Sequence, residues 1–220
     1  MTTLASAPVA PLLDRLFAEA DGSSAAMLPA FAQMPAEERA RLMASKTDYS
    51  DFYARMKDQP LAVSRETGAL LYMLARACKA RSIVEFGTSF GISTLHLAAA
   101  LRDNGGGTLI TSEFEPSKVA RARANLEAGG LLDLVEIREG DALETLAHDL
   151  PDTIDLLLLD GAKVLYARVL DLLEPRLRAG ALVIADNADM SPDYLTRVRS
   201  GRGYLSVPFA SDVELSMRLS

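Results

Sequence analysis

The stretch Ile83-Val84-Glu85-Phe86-Gly87-Thr88-Ser89-Phe90-Gly91 reads as a strand that enters a tight turn and leaves it as a helix beginning at Ile92. Gly87 and Gly91 let the backbone turn sharply and approach a ligand where a Cβ would interfere. Upstream, Ala69, Leu70, Met73, Leu74, Ala77 and Cys78 recur at three- and four-residue spacing, the mark of an amphipathic helix over 66–79. Downstream, the period changes and short apolar runs alternate with helical stretches. Strands are expected at 81–86, 108–112, 134–138, 154–159 and 181–185, and helices at 91–101, 116–128, 142–148 and 162–178, with Gly129-Gly130 as a stop signal. Strand then helix, repeated, calls for parallel pairing with helices on both faces. The run Ile154-Asp155-Leu156-Leu157-Leu158-Leu159 fits a sheet covered on both sides, where one-face alternation is not needed.

The tail departs from this rhythm. Residues 204–207 and 213–219 are strand-like runs separated by Pro208-Phe209-Ala210-Ser211-Asp212, too short for a crossover helix, so they should pair antiparallel. The expected fold is α/β: a doubly wound, Rossmann-like, mostly parallel seven-stranded sheet with an antiparallel C-terminal strand. Residues 1–60 are alanine-rich, carry Pro8, Pro11, Pro29, Pro35 and Pro60 as breaks, and show no β pattern. They read as a helical N-terminal appendage, a lid or a dimer arm, ahead of a domain over 61–220. Pro35 followed by Glu37 and Glu38 suits a helix first turn.

Composition narrows the function. The 220 residues are 49% hydrophobic and 24% charged, ordinary for a soluble globular chain. The 23 basic and 30 acidic side chains leave a net charge of −7, which removes the basic footprint that phosphate backbones require. Neither nucleic acid nor a membrane is an expected partner. The single cysteine, Cys78, reads as core filler. Residues 1–10 lack a basic leader region and no apolar run reaches the length of a membrane span, so a cytoplasmic enzyme or binding protein is expected.

Three readings compete for the glycine turn. A dinucleotide site needs a glycine two places after the first, where this chain has Ser89. A nucleophile elbow is matched literally by Gly87-Thr88-Ser89-Phe90-Gly91, but everything upstream looks helical. The two histidines, His96 and His148, are also poorly placed for a triad. An S-adenosylmethionine site needs one fewer close-approach glycine and an acid for the ribose. Glu113, one strand–helix–strand unit beyond Glu85, can accept from both ribose hydroxyls. Asp141, after the third strand, is placed to accept from an adenine amino group. Each acid could equally cap the helix that follows it. A binding module that has lost catalysis also remains open.

The motifs Glu-Phe-Gly-Thr-Ser-Phe-Gly (85–91), Ser-Glu-Phe-Glu (112–115), Gly-Asp-Ala-Leu (140–143), Leu-Leu-Asp-Gly-Ala-Lys (158–163) and Ala-Asp-Asn (185–187) stand in register. In that order and spacing they resemble the class I S-adenosylmethionine-dependent O-methyltransferases, and within them the group containing catechol and caffeoyl-CoA O-methyltransferases. The resemblance covers about residues 60–219. It implies a cofactor set of Glu85, Gly87, Thr88, Ser89, Gly91 and Ser93 around the turn, joined by Glu113, Asp141, Ala142 and Asp160. It also implies a small hydroxyl-bearing acceptor and, with the apolar N-terminus, a homodimer.

Asp160 and Asp186 end the fourth and fifth strands, so neighbouring strands about 4.8 Å apart would present both carboxylates at one edge. Such a pair is relieved by a shared proton or a cation. With the Asn187 amide it makes an all-oxygen set suited to Mg²⁺ or another hard divalent ion, whereas one cysteine and two unclustered histidines cannot build a zinc site. The resemblance implies the metal-ligand roles for Asp160, Asp186 and Asn187, and that of general base for Lys163, three residues after Asp160. One departure stands out: the family's Asp-Ala-Asp-Lys is Asp160-Gly161-Ala162-Lys163 here, one acid short. For acceptor walls the aromatic candidates are Tyr49, Phe52, Tyr53, Tyr166 and Phe209.

Overall fold

The computed structural model describes residues 1–33, 56–209 and 212–220, with side chains 24–33 left aside. In chain order the elements are α1 (Val9–Gln33), α2 (Arg65–Ala77), β1 (Ser82–Phe86), α3 (Ile92–Asp103), β2 (Thr108–Glu113), α4 (Pro116–Ala128) and β3 (Val135–Glu139). There follow α5 (Ala142–Thr145), β4 (Ile154–Leu159), α6 (Tyr166–Leu173), β5 (Leu177–Ala185), α7 (Pro192–Val198), β6 (Tyr204–Phe209) and β7 (Val213–Arg218).

The strands form a seven-stranded sheet in the order β3-β2-β1-β4-β5-β7-β6. The first five pair parallel, and β7 runs antiparallel to both β5 and β6, so one strand is reversed, as the short tail turn requires. Alternate residues serve opposite cores. Ile83, Leu109, Leu156, Leu158 and Ile184 pack with Leu71, Leu95 and Leu126 under α2, α3 and α4. Val84, Ile110, Leu157, Leu159 and Val183 pack with Tyr166, Val169 and Tyr194 under α6 and α7. Burying both faces explains why these strands are apolar at nearly every position.

Several bounds differ from expectation. The helix expected over 162–178 is a short 3₁₀ turn (Lys163–Leu165), α6, and a second 3₁₀ turn (Glu174–Arg176). Glu174 keeps a helical backbone (φ −54°, ψ −38°), but Pro175 has no N–H to extend the ladder of α6, and β5 begins at Leu177, four residues earlier than expected. The helix expected over 142–148 stops at Thr145, and α7 was not expected at all. Pro11 does not break α1, because it stands in the first turn, where backbone N–H groups have no helical acceptor. Nor is α1 detached from the core: Val9, Leu12, Leu13, Leu16 and Phe17 are buried in the same cluster as Leu95. The Asp103 carboxylate ties this end down, accepting from Thr3 N at 3.0 Å and Tyr72 Oη at 2.6 Å. The expected first turn at Pro35, Glu37 and Glu38, and with it much of the lid or arm, falls outside the described residues. Among those described, no helix is long and apolar enough to cross a membrane.

Candidate active site

Sheet register builds the site. Phe86 pairs with Ser112 on one side and Leu159 on the other, and Leu159 pairs with Ala185. The next residues along, Glu113, Gly87, Asp160 and Asp186, therefore stand in one row across four neighbouring carboxyl ends. This is the edge where β1 and β4 lead the chain in opposite directions along the sheet, the switch point at which open α/β sheets bind ligands.

A cavity of about 620 Å³, its open mouth included, lies along this row, walled by Gly87, Ser89, Glu113, Ala142 and Asp160 among others. Gly87 has φ +103°, and a Cβ on it would stand 2.6 Å from the Asp160 carbonyl carbon and the Gly161 nitrogen. The glycine is thus required by the neighbouring strand tip as much as by any ligand. Ser89 takes the left-handed conformation, φ +48°. Its N–H donates to Glu113 Oε2 at 2.8 Å, and its hydroxyl to the Pro60 carbonyl at 2.9 Å. Glu113 Oε1 accepts from Glu115 N–H at 3.0 Å. Those two amides hold the carboxylate at the cavity wall while each oxygen keeps a lone pair. Asp141 caps α5, accepting from Leu143 N–H at 2.8 Å, and also borders the cavity, so capping does not withdraw it from the wall.

Four members of the expected cofactor set lie beneath the cavity rather than on its wall. Glu85 is fully buried and accepts from Ser93 and Thr94 hydroxyls, each at 2.6 Å, and from Thr111 at 2.7 Å. Thr88 shares a 2.5 Å hydrogen bond with Thr111, and Gly91 is the left-handed start of α3. Glu85, Thr88, Gly91 and Ser93 therefore brace the turn. Glu85 side-chain direction decides this, since it projects into the sheet–helix layer instead of along the strand axis.

Burial raises the Glu85 carboxyl from 4.5 to about 7, against the pull of its three hydroxyl donors. A carboxyl raised on folding stabilises the fold fully below its unfolded value and loses that contribution as pH climbs through the folded one. Unfolding free energy should therefore decline between about pH 4.5 and 7 by a few kcal/mol at most, at about 1.4 kcal/mol for each pH unit. Glu85→Gln should flatten that slope in denaturant titrations; an unchanged slope would reassign it.

The hydrolase reading fails here. His96 is buried, its Nδ1 bonded to the Ile92 carbonyl at 2.8 Å and its ring against Gly68 and Phe17, away from Ser89.

Beside the row, Lys163 Nζ lies 3.0 Å from Asp160 Oδ1, both side chains 11% exposed. Asp160 and Asp186 act on each other's titration, as two acids at neighbouring strand tips must, and a shared proton or a cation relieves such a pair. Burial lifts the Asp160 carboxyl in spite of the Lys163 charge, and burial followed by Asp160 repulsion takes Asp186 to about 7. The Tyr166 hydroxyl fixes this tip by donating to the Asp186 carbonyl at 2.7 Å; fully buried, Tyr166 is no acceptor wall. Asn187, left-handed at φ +48°, donates from Nδ2 to Asp212 at 3.2 Å. Among the described residues no three His, Cys, Asp or Glu side chains gather as a metal cluster. What the site offers is two carboxylates and an amide oxygen, hard donors whose crowding a divalent cation would relieve.

Both departures from the family's motif, glycine at 161 and the missing acid at 162, have a local cause. A Cβ on Gly161 would fall 2.5 Å from the Phe86 ring, and Ala162 is buried in the apolar cluster of Phe86 and Leu165. A carboxylate at 162 would enter that cluster.

A second cavity, about 1390 Å³ with its open mouth, reaches Asp186 of the acid pair. It is walled by Phe17 and Ala20 of α1, Val63, Phe209, Asp186 and Asn187. Of the aromatic candidates, Phe209 is there; Tyr49, Phe52 and Tyr53 fall outside the described residues. Two positions in the cavity walls escaped sequence reasoning. Phe17 gave no signal, being far from Asp186 in the chain. Lys118, in the wall of the first cavity, had one: it shares the spacing of Ala122, Asn125 and Leu126, the buried face of α4.

Residues 84–188 match a family model described as a methyltransferase domain. The chain is 35% identical over 130 residues to a catechol O-methyltransferase of Niastella koreensis, the match covering 58% of each chain. It spans less than two thirds of the curated relatives it matches. Among solved structures it is similar to a methyltransferase from Geobacter sulfurreducens, 31% identical with TM-score 0.65, covering 77% of this chain and 87% of that one. It is also similar to the O-methyltransferase TomG of Streptomyces achromogenes in complex with S-adenosylmethionine, 25% identical with TM-score 0.64, covering 85% and 100%.

Proposed function

Because the chain belongs to the class I S-adenosylmethionine-dependent methyltransferases, we propose that it transfers the donor's methyl group to a hydroxyl of a small catechol-like acceptor, assisted by a hard divalent cation. One observation carries the reading: Asp160 lines the first cavity and Asp186 the second, so the neighbouring strand tips that carry the acids, with Lys163 3.0 Å from Asp160, join a pocket for each reactant.

The donor supplies an electrophilic methyl carbon on a sulfonium sulfur. Glu113 holds the ribose through the lone pairs left open on its carboxylate, and Asp141 takes the adenine end. The acceptor lies between Phe17 and Phe209 with its hydroxyl toward Lys163. Lys163, once it has passed a proton to the Asp160 carboxylate beside it, takes the hydroxyl proton at Nζ; the oxygen bonds to the methyl carbon, and the departing electron pair stays on sulfur as a thioether. Asp160 at 3.0 Å fixes where Nζ points, and the low exposure of the lysine side chain keeps bulk water from competing for it. A cation held by Asp160, Asp186 and Asn187 would supply positive charge that acidifies a bound hydroxyl. Holding both reactants in line is the largest service, worth effective molarities of roughly 10⁵ M or more in well-aligned systems.

Chelation tests the metal part. After dialysis against EDTA, turnover of a catechol should fall about tenfold or more and return with Mg²⁺, and phenols lacking the adjacent hydroxyl should be poor acceptors. Full activity in excess EDTA would leave the two carboxylates sharing their proton during catalysis, with Lys163 as the counter-charge beside them.

A further inference from the structure

Lys118 is 4% exposed, yet its ammonium makes no hydrogen bond or ion pair with any described residue. Its contact is with the Phe90 ring, whose centroid is 6.0 Å from Nζ. It forms part of the wall of the first cavity, on α4, in the turn that directly follows Glu113. The stem is buried while Nζ is not among the fully enclosed polar atoms without a partner, so the ammonium keeps an opening, and the cavity that the residue lines is where a ligand could bring it acceptors. Desolvation pulls its pKa down, while Glu113 foremost, then Glu115 and Asp160, favour its charge. Lys118 stands in the first turn of the helix that follows Glu113 and lines the same cavity, and Glu113 is the carboxylate that favours its charge most.

A sugar hydroxyl has one proton to give and lone pairs to fill. The Glu113 carboxylate can only accept, so it satisfies the protons of a ribose diol and leaves the oxygen lone pairs bare. We propose that Lys118 completes the ribose subsite, donating from Nζ to the sugar oxygens whose protons Glu113 accepts. This rests on the cavity being the adenosyl-donor site. Carboxylate and ammonium then grip one hydroxyl edge from both of its hydrogen-bonding sides. Lys118 is a cofactor-binding residue by this account and takes no part in proton transfer.

Calorimetric titration of the full chain and of its Lys118→Met and Lys118→Gln variants tests this. The probes are S-adenosylhomocysteine, methylthioadenosine, which lacks the amino acid end, and the 2′-deoxy and 3′-deoxy forms of S-adenosylhomocysteine. Lys118→Met should bind S-adenosylhomocysteine about tenfold more weakly and lose the same factor on methylthioadenosine, with Lys118→Gln in between. For at least one deoxy compound the penalty should shrink to about twofold or less, because the oxygen that Lys118 meets is gone. Thermal unfolding should show Lys118→Met no less stable than the parent, since it removes an unpaired buried charge. Unchanged affinity, or an equal loss on every deoxy compound, would overturn the assignment. A loss confined to S-adenosylhomocysteine would overturn it too, and would move Lys118 to the amino acid carboxylate. Failure of the parent chain to bind any of these nucleosides would instead overturn the donor-site reading beneath it.

Discussion

Replacing Lys163 with methionine is expected to lower kcat by about 10²–10⁴-fold while leaving the affinity for S-adenosylhomocysteine unchanged. The expectation comes from position. Lys163 is anchored at 3.0 Å by Asp160, which lines the first cavity, whereas the proposed donor contacts Glu113 and Asp141 line that cavity on other strand ends. Methionine keeps the length of the side chain and removes only its proton chemistry. The Asp160 carboxyl, already raised by burial, would answer the loss of its counter-charge by holding a proton, so the fold should persist. Single-turnover methyl transfer, measured alongside nucleoside binding, separates the two effects. Undiminished turnover would remove Lys163 from the proton path; a joint loss of turnover and binding would make it a structural support of the turn.

The second large effect is expected from Glu113→Ala, which should weaken S-adenosylhomocysteine binding about ten- to a hundredfold, the range of charged hydrogen bonds. Two things are lost together. The ribose loses its acceptor, and the N–H groups of Ser89 and Glu115 lose the carboxylate that organises the turn. Glu113→Gln keeps one acceptor oxygen and should fall between. Unchanged affinity in both variants would place the ribose elsewhere along the row.

The legible parts of this chain were those fixed by local rules. Apolar runs such as 154–159 announced the strands, and the strand ends announced the acids at 113, 160 and 186, because a parallel sheet brings equivalent ends together. The reversed tail strand followed from the shortness of its turn. Side-chain direction was harder to see. Glu85 opens the motif that carries the family resemblance and Ser93 follows it, yet the two hydrogen-bond to each other under the turn, and no spacing rule tells a bracing carboxylate from a binding one. Lys118 was passed over because lysine by type reads as solvated surface, although its interval to Ala122 and Leu126 puts it on a buried stripe. The contribution of Phe17 depended on α1 folding back onto the body, a contact with no local signature. Pro175 could have divided the stretch 162–178, since a proline there forbids one long helix.

The claim on which the rest stands is that the hollow beside Gly87 and Glu113 receives an adenosyl methyl donor. Calorimetric titration of the unmodified chain with S-adenosylhomocysteine, NAD and NADP in parallel addresses it most directly. Saturable binding of one S-adenosylhomocysteine per chain, with neither dinucleotide competing, is the predicted result. Saturable binding of a dinucleotide with none of S-adenosylhomocysteine would contradict it.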